Sequence, residues 1–163
     1  GSLVMRAPLR QLPVVLLFLP LIGCGDSGSA PTSPTPAQSF LVGTWRGTMT
    51  IQPDPTGAQP GAPVSGTVTW TFEVVPQTNL QSFRTTIRSE NGWLPITLTS
   101  STSMIPGNTP PAQISTQGEY DSPRGCRGTF GSFATAEARS IQGSITGVDC
   151  PVPFTGSVTL TKE

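Results

Sequence analysis

Any chemistry this chain performs must come from a short inventory of ionisable and nucleophilic side chains. Its 163 residues include no histidine, which removes the commonest general base and the commonest metal ligand. The carboxylates Asp26, Asp54, Glu73, Glu90, Glu119, Asp121, Glu137, Asp149 and Glu163 are scattered along the chain. Glu119 and Asp121 share one face of an extended segment, which could suit an acid pair or a cation but more often is a solvated outer face. Arg124 and Arg127 bracket Cys126, placed either for an anionic ligand or for solubility, and the same holds for Arg84 and Arg88. No nucleophile elbow, phosphate loop, dinucleotide fingerprint or zinc spacing is present. The expectation is a non-enzymatic protein with no cofactor, no metal site and no catalytic residue.

The totals narrow the class further. Thr, Ser, Gly and Pro make up nearly half the chain, while charged residues are 11%, against roughly 25% in ordinary domains. That composition disfavours helices and favours strands and turns. Beyond residue 23 there are six Arg and one Lys against nine acids, a net charge of −2. No basic surface is available to neutralise phosphates, so no nucleic-acid partner is expected.

Something must position whatever chemistry exists, and the N-terminus says where the chain goes. Met5 reads as the start, with residues 1–4 an upstream remnant. Arg6 and Arg10 precede the apolar run from Leu12 to Ile22. As a helix that run would be about 16 Å long, far short of a roughly 30 Å hydrocarbon core. It reads as a secretory signal over 1–23. Leu21-Ile22-Gly23-Cys24 resembles the lipobox of bacterial lipoproteins. That resemblance implies cleavage before Cys24, lipidation of its sulfur and usually acylation of the new amino group. The expected partner is therefore a membrane, held through the lipid on Cys24, in the bacterial cell envelope. Gly25 rather than Asp follows the cysteine, so the outer membrane is favoured over the inner.

Residues 24–39 then form a Pro/Ser/Gly tether with no large apolar side chain, unable to bury a face. Within it Gly25-Asp26-Ser27-Gly28 resembles the serine motif of trypsin-like proteases, but a chain without histidine has no base to take the serine proton.

From residue 40 to 163 the pattern has period 2, that of strands. Trp45, Gly47, Met49 and Ile51 alternate with Arg46, Thr48, Thr50 and Gln52. Val64, Gly66, Val68, Trp70, Phe72 and Val74 form the second such face, and Phe83, Thr85 and Ile87 the third. Asn91-Gly92 predicts a tight hairpin leading into a strand with Leu94, Ile96 and Leu98. Further strands are expected around Ile114 to Tyr120, Gly128 to Phe130, Ile141 to Gly147 and Val152 to Leu160. Eight short strands without a helix predict an all-β domain, an antiparallel eight-stranded up-and-down barrel, with a β-sandwich as the alternative. Inward glycines at 47, 66, 118, 128, 143, 147 and 156 favour the barrel, because small closed barrels bend sharply. The opposite face, of Thr, Ser, Arg, Gln and Glu, is unsuited to lipid.

Cys126 and Cys150 flank the predicted sixth and seventh strands. A hairpin turning near residues 134–139 would set them side by side as a disulfide, in a compartment that permits one.

Gly43-Thr44-Trp45 resembles the Gly-x-Trp that opens the first strand of lipocalins and related calycin barrels. The resemblance implies that Trp45 packs across the barrel base, that Gly43 lets the chain pass beneath it, and that the interior holds a small ligand. Trp70, Phe72, Phe83 and Tyr120 would line that cavity. Two functions follow as expectations: an envelope lipoprotein whose barrel binds a small apolar ligand, or a structural or protein-partner-binding lipoprotein whose barrel is filled by its own side chains. Interior volume separates them.

Overall fold

The computed structural model describes residues 39–75, 82–105 and 109–163. The signal segment, Cys24 and all of the tether but Ser39 lie outside these residues.

Alternation of apolar and hydroxyl side chains forces extended backbone with one face buried, and the chain does this eight times: β1 (Gly43–Pro53), β2 (Val64–Val74), β3 (Ser82–Ser89), β4 (Thr97–Ile105), β5 (Ala112–Asp121), β6 (Arg127–Ala136), β7 (Ser140–Asp149) and β8 (Val152–Lys162). Each strand pairs antiparallel with the next, and β1 also pairs with β8 from Trp45↔Lys162 to Pro53↔Phe154. The sheet therefore closes into an up-and-down barrel, not the alternative sandwich, and closure leaves no unpaired edge.

Inside are Trp45, Met49, Ile51, Val68, Trp70, Phe72, Phe83, Ile87, Met104, Ile114, Phe130, Ile145, Phe154, Val158 and Leu160, all buried. Outside, directly paired positions form circumferential rows of small polar residues, such as Ser103↔Ser115 and Ser144↔Ser157↔Thr50↔Ser65. Val74, Ile105, Phe133 and Val148 are the exposed large hydrophobics among the described residues.

The two ends are closed differently. At the end where β1 begins, Gly43 has φ +119°, a conformation open to glycine, and residues 39–42 fold beneath the barrel. Leu41 is fully buried there. The Trp45 indole Nε1 donates to the Leu41 carbonyl at 2.8 Å, the Lys162 ammonium donates to the Phe40 carbonyl, and it also lies 5.4 Å from the centre of the Trp45 ring.

At the opposite end the structure corrects the hairpin expectation. Asn91-Gly92 is not a two-residue turn; residues 90–96 cross the barrel mouth, and the strand starts at Thr97 rather than near Leu94. The physical reason is Asn91, whose side chain is worth more inward than in a turn. Its Nδ2 donates to the Val64 and Met49 carbonyls at 2.6 and 3.2 Å, and its Oδ1 accepts from the Trp93 and Leu94 amides at 2.9 and 3.2 Å. Gly66 makes room: a Cβ there would sit 2.4 Å from the Asn91 Cα. Leu94 and Ile96 are buried as expected, but as a plug rather than as a strand.

Candidate functional site

Three of the four residues expected to line a cavity, Trp70, Phe72 and Phe83, converge and meet one another, whereas Tyr120 lies apart from them. Trp70 lies 6.0 Å from Phe72 and 6.2 Å from Phe130, and Phe72 lies 6.4 Å from Phe83, with tilted or edge-on rings. Such pairs are the packing arrangement of a core. Tyr120 is buried at the loop end, its ring resting where Gly128 has no side chain.

One interior seam is polar. Thr85 Oγ1 and Thr102 Oγ1 are 2.6 Å apart, and Thr102 Oγ1 and Thr116 Oγ1 2.7 Å. Ser132 stands directly opposite Thr116. Its Oγ and the Trp70 Nε1 are both buried and have no hydrogen-bond partner among the described residues, a cost of about 1–3 kcal/mol each unless something else meets them. This seam is hard to read in advance, because inward Thr and Ser in a strand look like any other β-former.

The loop end carries the only concentrated electrostatics among the described residues. Asp149, the last residue of β7, is 1% exposed. Its Oδ2 accepts from Arg124 Nη1 at 2.6 Å and its Oδ1 from the Tyr120 hydroxyl at 3.1 Å. Arg124 also donates to the Trp93 carbonyl at 3.1 Å, with its guanidinium carbon 4.6 Å from the Trp93 ring centre. Trp93 in turn packs edge-on against Phe154 at 5.5 Å. Burial first, then the negative charge of Asp149 and its hydrogen bond, push the Tyr120 phenol well above its ordinary value. A pocket of about 110 Å³ opens beside this network, between Trp93, Leu94 and Pro95 on one loop and Ser122, Pro123 and Arg124 on the other. It is large enough for a few heavy atoms.

The disulfide fixes this arrangement. Cys126 precedes β6 and Cys150 follows β7, and they are bonded with their Cα atoms 5.5 Å apart. Cys126, Asp149 and Cys150 bring three donor atoms within 4.8 Å, but both sulfurs are spent on each other. One carboxylate is left, already held by Arg124, which is no metal site. From sequence alone Arg124 reads as an anion ligand or a solubilising charge, and Asp149 as one of the scattered acids. The signal was available: each lies within two residues of a bonded cysteine, so the bridge had to bring them near. Trp93 was missed because it sits in the loop that the Asn-Gly pair disguised as a turn.

The acid pair expected at Glu119 and Asp121 stays on the surface. Glu119 and Asp121 face outward and flank Arg127 at 3.3 and 3.9 Å, all three well exposed, and such pairs are worth little. Gly43 and Trp45 lie at the base described above. Cys24 is outside the described residues.

The chain matches no protein-family model and no curated protein. Among solved structures it is similar to a redesigned β-barrel, mFAP1, bound to DFHBI, with 15% identity and a TM-score of 0.51 over 76% of this chain and 95% of that one. A second redesigned β-barrel is 17% identical, with a TM-score of 0.48 over 81% of this chain and 99% of that one. The likeness to mFAP1 is one of fold.

Proposed function

We propose that this chain is a non-enzymatic, lipid-anchored β-barrel of the bacterial envelope that works through its outside. The observation that carries this reading is the packing of the interior, where the aromatic residues suited to lining a cavity are buried against one another. An eight-stranded barrel is just wide enough for side chains to fill, and this one has Trp70, Phe72, Phe83, Phe130 and Phe154 to do so. The lipobox and the tether supply the anchor, and the neutral, hydroxyl-rich wall supplies a surface for a partner. The outer membrane is the proposed location.

A second reading, a barrel that binds a small ligand internally, is favoured by one observation: the unpartnered Trp70 Nε1 and Ser132 Oγ. It modifies the earlier expectation, since the guest would need a polar group and could not be purely apolar.

One preparation tests both readings. The full chain is expressed in a bacterium, extracted in mild detergent and measured by native and denaturing mass spectrometry. The expected result is a mature mass beginning at a diacylated Cys24, with Cys126 and Cys150 oxidised and no further small molecule. A stoichiometric guest lost on denaturation would replace the filled barrel with the second reading. An unprocessed N-terminus would remove the anchor.

A further inference from the structure

The outer wall is not uniform. Across β4, β5, β6 and β7 two shallow grooves of about 470 and 360 Å³ lie side by side and share Gln117. The larger runs over Gly131 and is walled by Gln117, Glu119, Thr129 and Thr146. The smaller is walled by Ser101, Ser103, Ser115 and Ile105.

Phe133 stands beside them. It is two residues along β6 from Gly131, hence on the same outer face, and its cross-strand neighbours are Ser115 and Ser144. Both are too short to cover a phenyl ring, and Phe133 is 59% exposed. That leaves more than half of an aromatic side chain in water on a wall made mostly of hydroxyls, with Ile105 as the other exposed apolar group nearby.

The groups around it set the chemistry of an occupant. Hydroxyls and the Gln117 amide both donate and accept hydrogen bonds. The one charge lining the grooves is Glu119, which Arg127 pairs at 3.3 Å. Among the described residues no cation lines either groove to attract phosphate, sulfate or a carboxylate. A ligand matched to this surface is neutral, elongated and polyhydroxylated, with an apolar C–H face to lie on an aromatic ring. We infer that the outer face of β4–β7, centred on Phe133 and the Gly131 notch, binds a neutral glycan chain. This rests on the reading that the barrel works through its outside, and it names the partner of that surface.

The test uses the detergent-extracted full chain in affinity electrophoresis through gels containing a neutral polysaccharide: dextran, a mixed-linkage β-glucan or glycol chitin. The expected result is retarded migration in at least one of them, competed by the corresponding oligosaccharide. Phe133→Ala should weaken that binding by about tenfold or more, Phe133→Tyr should retain it, and Gly131→Val should block it by filling the notch. Thermal melting checks that each variant is folded. Phe133 is exposed, so its variants should melt like the wild type. Should Gly131→Val fold poorly, Thr146→Ala and Gln117→Ala give the same reading from the groove walls.

Unretarded migration in all three gels overturns the inference, and so does a Phe133→Ala variant that binds as the wild type does. A cross-linking experiment in cells separates this failure from failure of the parent reading. A protein cross-linked through residue 133, with no glycan binding, sinks the glycan and leaves the working outer face standing. A small molecule carried inside the barrel, with neither glycan nor protein at Phe133, sinks both.

Discussion

Asp149 is the residue on which the loop end depends. A carboxylate buried this deeply is tolerable only with its charge met, and Arg124 and Tyr120 meet it from two sides. Arg124→Leu should therefore destabilise the barrel by about 1–3 kcal/mol, discounted because the arginine is partly exposed. Urea denaturation would show this as a lowered midpoint with an unchanged slope. Asn91→Ala should cost at least as much, about 2–4 kcal/mol, since it strands two amides and two carbonyls at once. Tyr120 gives a pH signature. Its folded pKa is raised, so the folded state holds its proton more tightly than the unfolded chain, and the associated stability is present below about pH 10 and lost as pH rises beyond it. Tyr120 is the sole tyrosine, so phenolate absorbance reports on it alone. The absorbance should appear together with unfolding rather than before it; a phenol that titrates near pH 10 in the folded state would contradict the buried network.

At the scale of strands, what was readable depended on which side chains pointed inward. β1, β2, β3 and β8 carry Trp, Phe, Val, Ile and Leu at alternate positions, and period 2 exposes them at once. β4 was partly hidden: its inner positions include Thr102 beside Leu98 and Met104, and an inward hydroxyl breaks the apolar alternation. β6 reads short for the same reason, because Ser132, Ala134 and Ala136 are small or polar, although all three face inward. Crossings between strands were least legible, since local turn preference says Asn-Gly is tight whereas the tertiary need to satisfy four backbone groups at the mouth decided otherwise. The disulfide was legible from hairpin arithmetic alone. It closes a 24-residue separation across β6 and β7, and on the chain-entropy model it contributes about 3–4 kcal/mol. Reduction should lower the melting temperature by about 10–15 °C, and differential scanning calorimetry with and without reductant measures it. An unchanged melting point would mean that the β6–β7 ladder and the Arg124–Asp149 contact hold the hairpin ends without the bridge.

For the molecule as a whole, closure between the first and last strands matters more than any single contact. Removing residues 152–163, which carry β8, would leave β1 and β7 with bare edges, and open strands recruit other chains. The truncated protein should sediment as oligomers or aggregates, while the intact barrel sediments as a monomer; a monomeric truncation would show that closure is dispensable. The same seam has a mechanical meaning. A chain held at its N-terminus takes load first at Leu41 and Trp45, then along β1. That strand is paired on both sides, over nine residues with β2 and nine with β8. A pull directed along its axis loads both ladders in parallel, as shear, and most of the bonds must fail together. Pulled from its C-terminus, the chain would load β8 at the same end of the barrel, against β1 and β7. Either end of the barrel is a handle that resists force rather than a zipper that opens under it, a property that the anchor proposed at Cys24 would draw on.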